Sequence, residues 1–120
     1  MSHTIVIAED NPLIASFISE ALSDEGFIVQ HYSDGRAALD AVIAHPPALL
    51  LLDLNLPIMH GEQVLASIRN QLGMGLPIII MTASRPQVAS RLSSANGFLA
   101  KPFGLNDLLA CVAQYVARGE

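Results

Sequence analysis

Five polar residues stand where short apolar runs stop, and their types suit metal and phosphoryl chemistry. Glu9 and Asp10 follow Ile5-Val6-Ile7-Ala8, and Asp53 closes the run Ala48-Leu-Leu-Leu-Leu-Asp53. Thr82 follows Ile78-Ile-Ile-Met81, and Lys101 follows Phe98-Leu-Ala100. If these runs are neighbouring strands, three carboxylates meet in one crevice and repel unless a cation joins them. A carboxylate is ionised at neutral pH and can attack phosphorus in a phosphohistidine or a small acyl phosphate. Its obstacle is electrostatic, because one anion approaches another. A hard divalent cation held by Asp10 and Asp53 would cancel that repulsion. Mg²⁺ suits such a site, with Mn²⁺ as a substitute, because it takes oxygen ligands and keeps several waters. Glu9 would then hold a metal-bound water, Lys101 would offer a point charge, and the Thr82 hydroxyl a hydrogen bond.

The elements that must position these groups follow from hydrophobic patterning. Apolar runs near Thr4–Ala8, Phe27–Tyr32, Ala48–Asp53, Ile78–Thr82 and Phe98–Ala100 read as strands, alternating with amphipathic stretches. That alternation is the signature of a parallel sheet with helices on both faces. Asn11 and Pro12 are an N-cap and first helical residue, and Gly26 ends that helix. Leu13, Ile14, Phe17, Ile18, Ala21 and Leu22 form its expected apolar face. Ser33 or Asp34 caps a second helix that buries Leu39, Val42 and Ile43, and Pro46-Pro47 stops it. Gly61 opens a third with Val64, Leu65 and Ile68. Ser84–Asn96 suits a short fourth helix through Val88, Ala89 and Leu92. A last helix over about Leu105–Ala117 carries Leu105, Leu108, Leu109, Val112 and Val116. In a doubly wound sheet of this kind, ligands bind outside the carboxyl ends of the strands.

Composition narrows the class. At 120 residues the chain is expected to be one domain, 1–120, with a core that needs no disulfide. Its lone Cys111 reads as an apolar filler and fits a reducing cytoplasm. A net charge of −5 with scattered basic residues gives no footprint for nucleic acid. No apolar run is long enough to span a bilayer, and the start Met1-Ser-His-Thr lacks the pattern of a signal peptide. His3, His31, His45 and His60 have no metal-ligand spacing and read as surface residues.

Taken together, Glu9-Asp10, Asp53, Thr82 and Lys101-Pro102, each at a strand end in this order, resemble the receiver domain of two-component response regulators. Asp53-Leu-Asn-Leu-Pro57 with Gly61, Met81-Thr-Ala83 and Lys101-Pro-Phe103 carry the likeness along essentially the whole chain. The resemblance implies a three-layer α/β/α fold with a five-stranded parallel sheet in the flavodoxin-like order 2-1-3-4-5. It implies Asp53 as the phosphoacceptor, and the main-chain carbonyl of Asn55 as a further metal ligand. It also implies a switch in which Thr82 moves toward the phosphoryl group and Phe98 turns inward, and a cis Lys101–Pro102 peptide. The phosphodonor would be a histidine kinase or a histidine phosphotransfer protein, and the downstream partner is unspecified.

The chain departs from the family pattern in three places. Glu9 replaces the commoner aspartate. The stretch from Thr82 to Lys101 is several residues short, at the fourth helix, on the face most receivers use for output. Ala95-Asn-Gly97 stands where many DNA-binding regulators carry an acidic pair for dimer contacts. The low-charge outer face of the last helix, with Ala110, Ala113, Gln114 and Ala117, offers a surface for a partner or a second copy. Two other readings compete. A phosphohydrolase with an aspartyl nucleophile, like the haloacid dehalogenases, would carry that residue on its first strand with a second aspartate two positions on. A receiver-like module that binds without phosphate would not need the acid, threonine and lysine together.

Overall fold

Leu49, Leu50, Leu51 and Leu52 have no solvent exposure, so a strand through them must be covered on both faces. A computed structural model describes residues 3–83 and 92–116 and puts that strand at the centre of the molecule. The strands are β1 (Thr4–Ala8), β2 (Ile28–Tyr32), β3 (Leu49–Asp53), β4 (Ile78–Thr82) and β5 (Gly97–Ala100). All pairs are parallel, in the order β2-β1-β3-β4-β5. Four helices lie among the described residues: α1 (Pro12–Asp24), α2 (Gly35–Ala44), α3 (Gly61–Leu72) and α4 (Leu105–Ala113). This is the expected flavodoxin-like sandwich.

Alternate strand residues feed two separate cores. Ile5, Ile7, Leu49, Leu51, Ile79 and Met81 pack with Ile18 and Leu22 of α1 and with Leu108 and Val112 of α4. Val6, Ala8, Leu50, Leu52, Ile78 and Ile80 pack with Leu39 and Val42 of α2 and with Val64, Leu65 and Ile68 of α3. Burying each such side chain contributes about 2 kcal/mol, so the strands that carry the site are firmly held. The half-buried Cys111 joins the first core as expected, and burial pushes its thiol up.

Helix boundaries follow their caps. Asn11 Oδ1 accepts from the amides of Leu13 and Ile14, and Gly26 leaves α1 with φ of 91°. Asp34, not Ser33, caps α2 by accepting from Ala37 N. Three expectations need correction. Leu13 and Phe17 of α1 do not face the core; they are 80% and 38% exposed. Ala15, Ile18, Ala21 and Leu22 take the buried side of α1, and Leu13 and Phe17 stand one i to i+4 row round from it. Leu105 is likewise exposed, at the start of α4. Regular helix in α4 stops at Ala113, with turns through Val116 closed by Tyr115 N and Val116 N on the Val112 carbonyl. The expected fourth helix falls largely outside the described residues, as does Ala117.

The return into β5 is fastened by side chains. Arg69 of α3 donates to the carbonyls of Ser94 (2.8 Å) and Leu76 (2.7 Å) and to Asn96 Oδ1 (2.7 Å). Asn96 Oδ1 also accepts from Ile78 N at 2.8 Å, and the Asn96 carbonyl accepts from the Tyr115 hydroxyl at 2.7 Å. Tyr115 lies so close over Gly97 that a Cβ there would meet its hydroxyl at 2.7 Å.

Candidate functional site

The strand order reverses between β1 and β3, and the crevice at their carboxyl ends is where such sheets place ligands. Glu9 and Asp10 leave β1 there, and Asp53 ends β3 beside them. Glu9 and Asp53 are buried, Asp10 is exposed, and one oxygen from each carboxylate lies within 4.8 Å of the others. Lys101, following the far strand β5, reaches across β4 to this group. Its Nζ is 2.7 Å from Glu9 Oε1 and 3.4 Å from Asp53 Oδ1. Thr82 ends β4 between them and is also buried. The fold therefore gathers Glu9, Asp10, Asp53, Thr82 and Lys101 at one sheet edge.

One cation shared by two buried carboxylates explains the electrostatics. Burial holds the Glu9 carboxyl above its ordinary range, against the opposing hydrogen bond from Lys101. Burial alone would lower the Lys101 ammonium, but its bond to Glu9 and the charge of Asp53 outweigh that and hold it up. The two partners thus shift the same way for different reasons. The lysine has two anions for company, whereas Glu9 shares its cation with Asp53.

The remaining expected residues are placed as follows. Asn55 is exposed beyond β3, and its amide donates to Asp53 Oδ1 at 3.4 Å. Phe98 is half-buried in β5, paired with Ile80 two residues before the Thr82–Ala100 pair, and packs on the α2–α3 core. The Lys101–Pro102 peptide is cis.

Two contributors escape a reading of sequence. The Asn11 amide donates to Glu9 Oε2 at 3.1 Å, so the residue that caps α1 also fixes a site carboxylate. His31, read as a surface residue without a role, is exposed, yet its Nε2 lies 2.7 Å from the Glu9 carbonyl. Its place follows from the Ile7–His31 register of β1 and β2, which becomes legible only once strand order is known.

The β3–α3 connection is built to tight tolerances. A Cβ on Gly61 would stand 2.4 Å from the Asp53 carbonyl oxygen, and one on Gly35 would stand 1.8 Å from that of Met59. Between them Met59 N donates to the Pro57 carbonyl at 2.7 Å, and the intervening Ile58 has φ of 70°. This γ-turn forces a β-branched residue into the left-handed region, where it is strained.

A cation fits the donor set. All three carboxylates are hard oxygen donors, and Asp10 keeps the group open to water. Among the described residues no helix is long and apolar enough to cross a membrane.

Comparison with known proteins agrees with the geometry. Residues 5–113 match the family model described as the response regulator receiver domain. The chain is 37% identical over 112 residues to the transcriptional regulatory protein HprR of Escherichia coli, covering 90% of this chain and 49% of that protein. It is 37% identical over 118 residues to the response regulator protein PmrA of Pseudomonas aeruginosa, covering 95% and 52%. The chain thus spans about half the length of the curated relatives it matches. The chemotaxis response regulator CheY4 of Vibrio cholerae superposes with a TM-score of 0.89 at 26% identity, over 97% of this chain and 100% of that one. The receiver domain of the sensor histidine kinase PA1611 from Pseudomonas aeruginosa, with a magnesium ion in its active-site cleft, gives 0.87 at 29% identity, over 96% and 98%.

Proposed function

The chain belongs to the response regulator receiver domain family, and from that premise we propose that it accepts one phosphoryl group on Asp53 and thereby changes its affinity for a downstream partner. The observation that carries this reading is the meeting of Glu9, Asp10 and Asp53 within 4.8 Å, with the Lys101 ammonium on two of them. In the transfer an Asp53 carboxylate oxygen bonds to phosphorus. The phosphorus–nitrogen bond of a phosphohistidine breaks, and its electron pair stays with the imidazole. Asp53 is buried at a strand end, so its carboxylate is oriented in advance of the reaction. Lys101 supplies positive charge to the phosphoryl oxygens and Thr82 a hydroxyl donor. Asp10, Asp53 and the Asn55 carbonyl would ligate Mg²⁺ or Mn²⁺, and Glu9 would reach it through water. When bound, the cation offsets the charge repulsion between donor and acceptor.

The donor is a histidine kinase or a histidine phosphotransfer protein, and the setting is cytoplasmic. Thr82 and Phe98 form the switch, with Phe98 two positions from Thr82's strand partner. The exposed Ala110 and Ala113 of α4, with Gln114 that follows it, give a low-charge face for a partner or a second copy. Dephosphorylation would then be self-hydrolysis of the aspartyl phosphate, not turnover of a substrate. Intact mass after incubation with a small phosphodonor tests the assignment. A single phosphate adduct that needs Mg²⁺ and is absent from Asp53→Asn is expected; equal adducts in both proteins would refute it.

A further inference from the structure

Leu13 and Phe17 point away from the core, and they line a space immediately beside the acceptor. That cavity, of about 420 Å³, lies between α1 and the turn after β5. Leu13, Ile14 and Phe17 form one wall; Pro102 and Phe103 form the other, with Phe17 and Phe103 ring centroids 6.3 Å apart. Ala83, directly after Thr82, and Lys101 also line it. Among the described residues Lys101 is its one charged lining residue, and the same ammonium stands 3.4 Å from Asp53 Oδ1.

Cavity and acceptor therefore share a residue, and this constrains an occupant. A donor whose anionic end lies against Lys101 and Asp53 has an apolar recess beside it for its other end. The volume falls within the range of small-ligand sites and suits a chain of a few carbons. We propose that this cavity is a subsite for the acyl group of small acyl phosphates, favouring longer alkyl chains over acetyl. The proposal rests on Asp53 being the phosphoacceptor. The Asp53 carboxylate bonds to phosphorus, the bond from phosphorus to the acyl oxygen breaks, and the acyl group leaves as a carboxylate with that electron pair. Charge balances without a proton.

Each fully buried methylene contributes about fourfold in rate. Butyryl phosphate carries two methylenes more than acetyl phosphate, which would give about 15-fold if both were buried. Because Leu13 is 80% exposed, burial is partial, and a ratio of about fourfold is expected. The two leaving carboxylates are of nearly equal basicity, so intrinsic reactivity does not set the ratio.

The test follows aspartyl phosphate formation by intact mass, in Mg²⁺, with acetyl and butyryl phosphates. It uses the purified chain and its Leu13→Ser and Phe17→Ser variants. Butyryl phosphate should be faster than acetyl phosphate, and the ratio should fall toward one in both variants. A Met74→Ser control, exposed and distant from the cavity, should keep it. As a binding readout, butylphosphonate should shift the amide resonances of Ile14, Ala83 and Phe103 at lower concentration than methylphosphonate. A wild-type ratio near one while adduct forms would overturn the subsite and leave the Asp53 assignment standing. No adduct from any donor would overturn both. Slower transfer from a phosphohistidine protein in Leu13→Ser, with an acyl ratio near one throughout, would reassign the cavity to protein docking.

Discussion

Replacing Asp53 by asparagine should make the metal-free chain more stable. Among the described residues the charge of Asp53 faces one cation, Lys101 at 3.4 Å, and a buried anion, Glu9, within 4.8 Å. At an effective dielectric of about 20, these distances correspond to roughly 5 kcal/mol of attraction and at least about 3.5 kcal/mol of repulsion. Asp10, exposed and screened by water, adds repulsion of about 1 kcal/mol. The pairwise contributions nearly cancel, leaving little to offset the loss of solvent by a carboxylate that is 3% exposed. Asparagine keeps the shape and an oxygen for the Asn55 amide, and removes the charge. We expect a gain of about 1 kcal/mol, or roughly 4 °C in Tm for a domain of this size. Urea unfolding followed by circular dichroism in EDTA measures it. Adding Mg²⁺ at ten times its dissociation constant should then raise the wild type by about 1.4 kcal/mol and the variant far less. A variant less stable than wild type in EDTA by 1 kcal/mol or more would refute the reasoning, because the bond to Lys101 would then dominate.

Lys101→Met leaves Glu9 and Asp53 buried without their cation. It should cost about 2–3 kcal/mol in EDTA, less than for a fully enclosed pair because the lysine is partly exposed, and Mg²⁺ should restore part of it. Glu9 is held above its ordinary range, so the native state binds its proton more tightly than the unfolded chain. Its ionisation destabilises the fold above the raised value and is neutral below the unfolded value near 4.5. Glu9→Gln should therefore gain stability relative to wild type as pH rises from 4 to 7; a constant difference across that range would contradict it. Ile58→Gly relieves a left-handed β-branched residue that is 83% exposed, and should stabilise by about 0.5–1 kcal/mol after the entropy cost of glycine. Equal or lower stability in thermal melts would show that the turn carries no strain.

How much of this was legible in sequence depended on the range of the interaction involved. Strand positions and the Asn11 cap came through because a run such as Leu49–Leu52 has one home, and Asn-Pro has one use at a helix start. The acid, threonine and lysine set was legible because strand ends share an edge. Strand order was not, since hydrophobic runs do not say which neighbour they choose; the family resemblance supplied it. The exposure of Leu13 and Phe17 is not legible, because an apolar stripe wider than the covered face looks the same in sequence as one that is wholly buried. The Glu9–Lys101 bond joins residues 92 positions apart and could not be inferred from either neighbourhood.

The fastening of Arg69, Asn96 and Tyr115 has a consequence for engineering. The chain leaves the sheet at Thr82, whose carbonyl holds Lys101 N at 3.0 Å. It returns at Asn96, which is locked to Ile78 and Arg69 before β5 begins. The register of β5, and with it the reach of Lys101 to Glu9 and Asp53, is therefore set from α3 and from the start of β4. A substitution at Arg69, remote in sequence from every acidic residue of the site, would loosen the strand that delivers its cation. An engineer who wants the lysine kept in place must leave Arg69 and Asn96 alone.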